Sequence, residues 1–234
     1  MIPLRDDIPS RTAPILNYAL IAANVLAFFY ELALGSGLDE FIHRYGVIPS
    51  LYFYRDVPLI VGVVPLFTSM FLHGGWLHIA GNLLYLYIFG DNVEDRFGHW
   101  RYLCFYLGAG VVAGLAHVVA NASSTVPSIG ASGAIGGVLG AYMMLYPRAR
   151  VVTLIPIFVF VQFVELPALL LLGFWFLQQF LMGTLSLGAG SAEAGGVAWF
   201  AHIGGFLFGA ILGRLLARPE RRPTSRDVWW VRDR

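Results

Sequence analysis

Six long runs of apolar, almost uncharged residues dominate this chain and leave it few ways to fold. They cover roughly 13–34, 64–90, 102–120, 130–146, 166–186 and 196–217. About 20 apolar residues cross the hydrocarbon core of a bilayer as a helix. In lipid the backbone polar groups are satisfied only within helices or a closed barrel. These runs are too long, and alternate too little, for barrel strands. Of the 234 residues 58% are hydrophobic and 12% charged, against about 25% charged in a soluble domain. The expected fold is an all-α polytopic membrane protein with six transmembrane helices. A cytoplasmic segment, 1–12, precedes a membrane domain, 13–217, and a basic cytoplasmic tail, 218–234, follows it.

Charge sets the orientation. All basic residues are Arg, and the net charge is +1, which provides no field to attract nucleic acid. With the N-terminus inside, six spans place 13 Arg on the cytoplasmic side and only Arg44 and Arg55 outside. That asymmetry predicts both termini in the cytoplasm. Cys104 is the single cysteine, so no intrachain disulfide can form. The N-terminus has no cleavable-signal pattern, and the first span is expected to direct insertion. Val151–Val164 is apolar with Pro156 and Gln162; it reads as an interfacial or half-inserted piece, with Pro167 in the first turn of span 5. The loop Leu187–Gly196 is rich in Gly, Ser and Ala and is expected to be mobile. The tail from Pro219 onward is expected to lack fixed structure.

Polar residues inside the spans carry the chemistry. An ionisable group in hydrocarbon is costly, about 2.5–3.5 kcal/mol for a charge on insertion scales. His202 lies in such a place, in Ala201-His202-Ile203-Gly204-Gly205, and Ser132 lies in Gly130-Ala131-Ser132-Gly133. Alone, Ser132 fits a helix-packing serine and His202 a hydrogen-bonded structural histidine. Together they suit a nucleophile and its base. Span 4, Ile129–Tyr146, is about 27 Å long at 1.5 Å per residue, so its start should lie below the outer surface, next to a buried aqueous pocket. Gly133, Gly137 and Ala141 form a small-residue stripe on span 4, and Ala201, Gly205, Gly209 and Gly213 one on span 6. Such stripes let helices approach closely in lipid, which would bring Ser132 to His202. Neither span carries a carboxylate to orient the imidazole, so the pair reads as a dyad. In span 2, His78 and Asn82 share a helix face and can donate to a developing oxyanion, as can the helix N-terminus at Ser132. His73 suits active-site support or a hydrogen bond to water or loop backbone. His117 reads as structural, Glu94 and Arg96 as a salt bridge or loop cap, and Glu31 and Glu165 as solvated or capping groups near span ends.

Four motifs in order resemble the rhomboid family of intramembrane serine proteases, over roughly residues 64–217. They are His78-Ile79-Ala80-Gly81-Asn82 with His73 before it, Glu94-Asp95-Arg96-Phe97-Gly98, Gly130–Gly133 and Ala201–Gly205. The resemblance implies a six-transmembrane-helix rhomboid-like bundle. It implies Ser132 as nucleophile, His202 as general base, and an oxyanion hole of His78, Asn82 and the Ser132 backbone N–H, with Gly130 and His73 as candidate support. Substrates would be single- or multi-span membrane proteins, cut on the outer side within the lipid bilayer. No metal or nucleotide cofactor is implied, and the loop before span 6 corresponds to a cap over the site. The short termini fit a prokaryotic cytoplasmic membrane. Two departures stand out. Many rhomboids carry a Trp-Arg pair shortly before span 2, where this chain has Gly62-Val63-Val64-Pro65. Some place an aromatic one turn after the serine, against the histidine, where this chain has Gly136; the support of His202 is thus unassigned. Alternatives are a catalytically inactive rhomboid-like binder of transmembrane helices, and a His-lined transporter. Against the transporter stands the lack of an inverted repeat and of intramembrane carboxylates facing the histidines.

Overall fold

The computed structural model describes residues 1–53, 58–157, 160–188 and 197–219. Tyr54 and Arg55, the cap loop at 189–196 and the tail from residue 220 lie outside the described residues. The chain opens with a strand, β1 (Ile2–Asp6), followed by helices α1 (Ile15–Ala33), α2 (Leu38–Tyr45), α3 (Leu59–Thr68), α4 (Trp76–Phe97), α5 (His99–Ala120) and α6 (Ser132–Leu145). A hairpin of β2 (Arg150–Ile157) and β3 (Phe160–Pro167) leads into α7 (Ala168–Gly188), and α8 (Trp199–Leu216) ends the bundle. Among the described residues, four helices, α1, α5, α7 and α8, are long and apolar enough to cross a membrane; α3 with α4 would make a fifth span, bent by 82°. The shorter α6 completes the set of six expected positions.

The bend corrects the expectation of one straight span over 64–90. Gly75 at φ +154° breaks the helix before Trp76, and the break is braced from α1. The His73 N–H donates to both oxygens of Glu31, at 3.2 and 3.1 Å. Glu31 is therefore buried, 2% exposed, not solvated at a span end. At its other end α4 runs through Glu94, Asp95 and Arg96, so these residues are helical. Glu94 is fully buried and accepts from the Leu16 and Asn17 N–H groups, at 3.0 and 2.7 Å. It thereby caps the positive N-terminal end of α1, and it also pairs with His99.

The all-α expectation misses a small three-stranded antiparallel sheet of order β1-β2-β3. Ile2 pairs with Leu154, and Val151 with Leu166. The stretch read as interfacial or half-inserted is this hairpin, and Pro167 ends β3 directly before α7. Its Val, Ile, Thr and Phe content suits strands. Its unbroken apolarity hides the period that would distinguish a strand from a buried helix. The N-terminal segment is held by β1 and by side chains: Ser10 donates to Asp91 at 2.7 Å and Thr12 to Asp95 at 2.7 Å.

At the centre stands α6, with Gly133 through Tyr142 all buried. It begins at Ser132, two residues later than the sequence suggested, and its 14 residues span about 21 Å. The stripes meet in register. A Cβ on Gly205 would fall 1.9 Å from the Gly133 carbonyl oxygen, one on Gly209 1.8 Å from that of Gly137, and one on Gly213 2.8 Å from the Ala141 Cα. The register advances in the same direction on both helices, so α6 and α8 run parallel and begin at the same end of the bundle.

Candidate active site

Ser132 is the first residue of α6, and the preceding loop fixes its place. Backbone groups of that loop are paired inside the protein: Val47 and Ser128 exchange two hydrogen bonds of 3.0 and 2.8 Å, Ser50 N–H donates to Ser124 and Gly130 N–H to Ser69. Irregular backbone is tolerated at depth only when buried in protein or beside water. As a residue of the first helical turn, Ser132 has a backbone N–H with no partner within its own helix.

One turn into α8, His202 faces it. The distance from His202 Nε2 to Ser132 Oγ is 2.8 Å, across 70 residues of sequence. The other ring nitrogen, Nδ1, lies 2.7 Å from Oε1 of Gln179 on α7. Gln179 Oε1 can only accept, so Nδ1 carries the proton and Nε2 is free to accept from the serine hydroxyl. The Trp175 ring packs at 5.7 Å from the imidazole, and Trp199 meets it edge-on at 6.5 Å.

The missing aromatic after the serine has a steric cause. A Cβ on Gly136 would lie 3.0 Å from the His202 carbonyl oxygen and 3.4 Å from the Phe206 nitrogen. The α8 backbone occupies that place, and Trp175 packs on the imidazole from α7 instead. Gln179 was missed in the sequence, although a signal existed: Gln178-Gln179 interrupts an otherwise apolar span. Gln178 is exposed and Gln179 buried, a distinction only packing makes.

From α4, His78 reaches the same place. His78 Nδ1 accepts from the Gly74 N–H at 3.3 Å, which leaves the ring proton on Nε2. That nitrogen lies 2.7 Å from where a Cβ on Gly130 would stand, and Ser132 Oγ lies 3.5 Å from the same point. Gly130, at φ +130°, thus leaves the space in which an Nε2–H donor and the serine hydroxyl face one another. Asn82 is buried, and its Nδ2 has no hydrogen-bond partner among the described residues. An unmatched buried donor is rare and calls for an explanation.

His73 does not join this group directly. Its Nδ1 donates to the Phe71 carbonyl at 3.2 Å, and its ring meets that of His78 edge-on at 5.1 Å. His117 on α5 accepts from Asn121 Nδ2 at 3.2 Å. Beside Ser132 is a cavity of about 30 Å³, lined in part by Ser69, Gly110, Ser128, Gly133 and Ala201. A water needs roughly 10–15 Å³ of such space, so one fits.

These features define a helical membrane protein with a serine–histidine pair held between two parallel helices. The chain belongs to the rhomboid family: residues 62–219 match the family profile described as the Rhomboid domain. Among its relatives, Rhomboid-like protein 11, chloroplastic, of Arabidopsis thaliana is 29% identical over 88% of this chain and 70% of its own length. Rhomboid protein 1, mitochondrial, of Saccharomyces cerevisiae is 26% identical over 91% of this chain and 56% of its own length. Rhomboid protease GluP of Bacillus subtilis is 36% identical over 56% of this chain. The chain spans only 24% of GluP, so the match there is to a part of a longer protein.

Proposed function

We propose that this protein is an intramembrane serine endopeptidase in which Ser132 is the nucleophile and His202 the general base. The observation that carries the reading is the 2.8 Å contact between Ser132 Oγ and His202 Nε2. Nucleophile and base within hydrogen-bond reach are the signature of covalent catalysis.

The chemistry follows from the atoms. Ser132 Oγ attacks the scissile carbonyl carbon as its proton passes to His202 Nε2. The carbonyl oxygen becomes an oxyanion, which on this reading accepts from the Ser132 backbone N–H, His78 Nε2–H and Asn82 Nδ2. As the carbon–nitrogen bond breaks, Nε2 returns the proton to the leaving amine. Water then loses a proton to His202 and attacks the acyl-enzyme; the proton returns to Ser132 Oγ, which leaves, freeing the new carboxyl end. Gly130 keeps the donors close, since any Cβ there would stand between His78 and Ser132.

Substrates on this reading are transmembrane segments of other membrane proteins. The site end of α6 and α8 faces the outer side on this reading, which the excess of Arg on the opposite side supports. Purified protein should cleave a model single-span substrate and label with a serine-directed phosphonate, and Ser132→Ala should do neither. Cleavage that survives Ser132→Ala refutes the reading. Substrate bound but left intact by the wild type would instead mark an inactive helix-binding member.

A further inference from the structure

We infer that Gln179 is the positioning residue of the Ser132–His202 pair, holding the catalytic imidazole from α7 in the one tautomer that can take the serine proton. This rests on the protease reading above. Neutral histidine has two tautomers, and only the one protonated at Nδ1 leaves a lone pair on Nε2 for the serine hydroxyl. The Gln179 carbonyl oxygen, 2.7 Å from Nδ1, accepts that proton's hydrogen bond and selects this form. Gln179 is 5% exposed, so water does not compete for the bond. Trp175 stands four residues earlier, hence on the same face of α7, and packs beside the same ring. Neither α6 nor α8 can supply the support. A Cβ at Gly136 would press on the α8 backbone, 3.0 Å from the His202 carbonyl oxygen, and neither helix holds a carboxylate.

An amide suits the location better than a carboxylate. The bond strengthens when His202 becomes charged during the reaction, because charge-assisted hydrogen bonds are stronger. Between turnovers both partners are neutral, and no ionised group has to be kept inside the membrane.

Two measurements test this. In Gln179→Leu, kcat should fall on the order of 10- to 100-fold with KM little changed, less than the ~10⁴ lost when a triad aspartate becomes asparagine and the tautomer is wrong. Gln179→Glu, which keeps an acceptor, should retain most of the activity. The second measurement is ¹⁵N NMR of histidine-labelled protein in the Ser132→Ala background, where the serine no longer influences the ring. There His202 should be protonated at Nδ1 with Gln179 present and become a mixture of tautomers in Gln179→Leu. Wild-type kcat in the leucine variant, or an unchanged tautomer, overturns the assignment. If the leucine variant does not fold, Gln179→Met takes its place; the inference then requires methionine to lose activity and glutamate to keep it. The tautomer readout needs no cleavage, so it decides the orientation of His202 even if the protease reading fails.

Discussion

At Asn82 the cost of an unmatched buried donor is visible in one atom. Its Nδ2 lies buried without a partner in the described structure, a position that normally costs about 1–3 kcal/mol. On the proposed mechanism that donor receives the oxyanion. Asn82→Ala should then lower kcat by roughly 100- to 1,000-fold while the melting temperature holds. Unchanged kcat with a lowered melting temperature would make Asn82 a packing residue. At this scale the residues that bear reactive atoms were legible in the sequence, because polar groups are conspicuous in apolar spans. Their partners were not. Glu31 looked like a solvated end residue, and only the fold shows it beneath the His73 N–H. Gln179 drew no notice at all, since an amide at a span's face and one in its interior read alike.

Between elements, the α6–α8 contact is backbone against backbone. A Cβ at Gly209 would stand 1.8 Å from the Gly137 carbonyl oxygen, and backbone cannot yield as a flexible side-chain end can. Gly209→Ala should therefore destabilise the protein by about 1–3 kcal/mol or more, read as a lower melting temperature in detergent, and should lower activity by separating His202 from Ser132. Gly81, where an added Cβ meets nothing within 4 Å, is the control: Gly81→Ala should leave stability near wild type. Equal melting temperatures for the two variants would refute the close-packing account. This contact was readable in advance, because four-residue spacing of small side chains has one structural meaning in lipid. The bend before α4 and the β2–β3 hairpin were not. One depends on a brace from α1, and the other hides inside a run with no period.

Across the whole molecule, the N-terminal strand reaches the far end of the helix that begins at Ser132. Tyr142, near the C-terminal end of α6, donates to the Asp6 carboxyl. Burial pushes that carboxyl up from 3.8 to about 7, with the like charges of Asp91 and Asp7 adding to the rise and the Tyr142 bond opposing it. A carboxyl raised in the native state binds more protons folded than unfolded between those two values. Stability must therefore fall as pH rises from about 4 to about 7. The melting temperature should decline over that window, and Asp6→Asn should flatten the decline. An undiminished slope in the variant would remove Asp6 as its source.

Local chemistry along the chain was enough to put it in a membrane, to pair α6 with α8 and to single out Ser132 and His202 as the pair that meets. Each of these follows from apolarity, charge or side-chain size at short spacing, which sequence states directly. The bend braced by Glu31, the α1 cap by Glu94, the sheet joining the N-terminal strand to the hairpin between α6 and α7, and the contacts of Gln179 and Trp175 with His202 came only with the tertiary structure. Each is a meeting of groups on different elements, and which buried polar atom finds which partner is settled by packing.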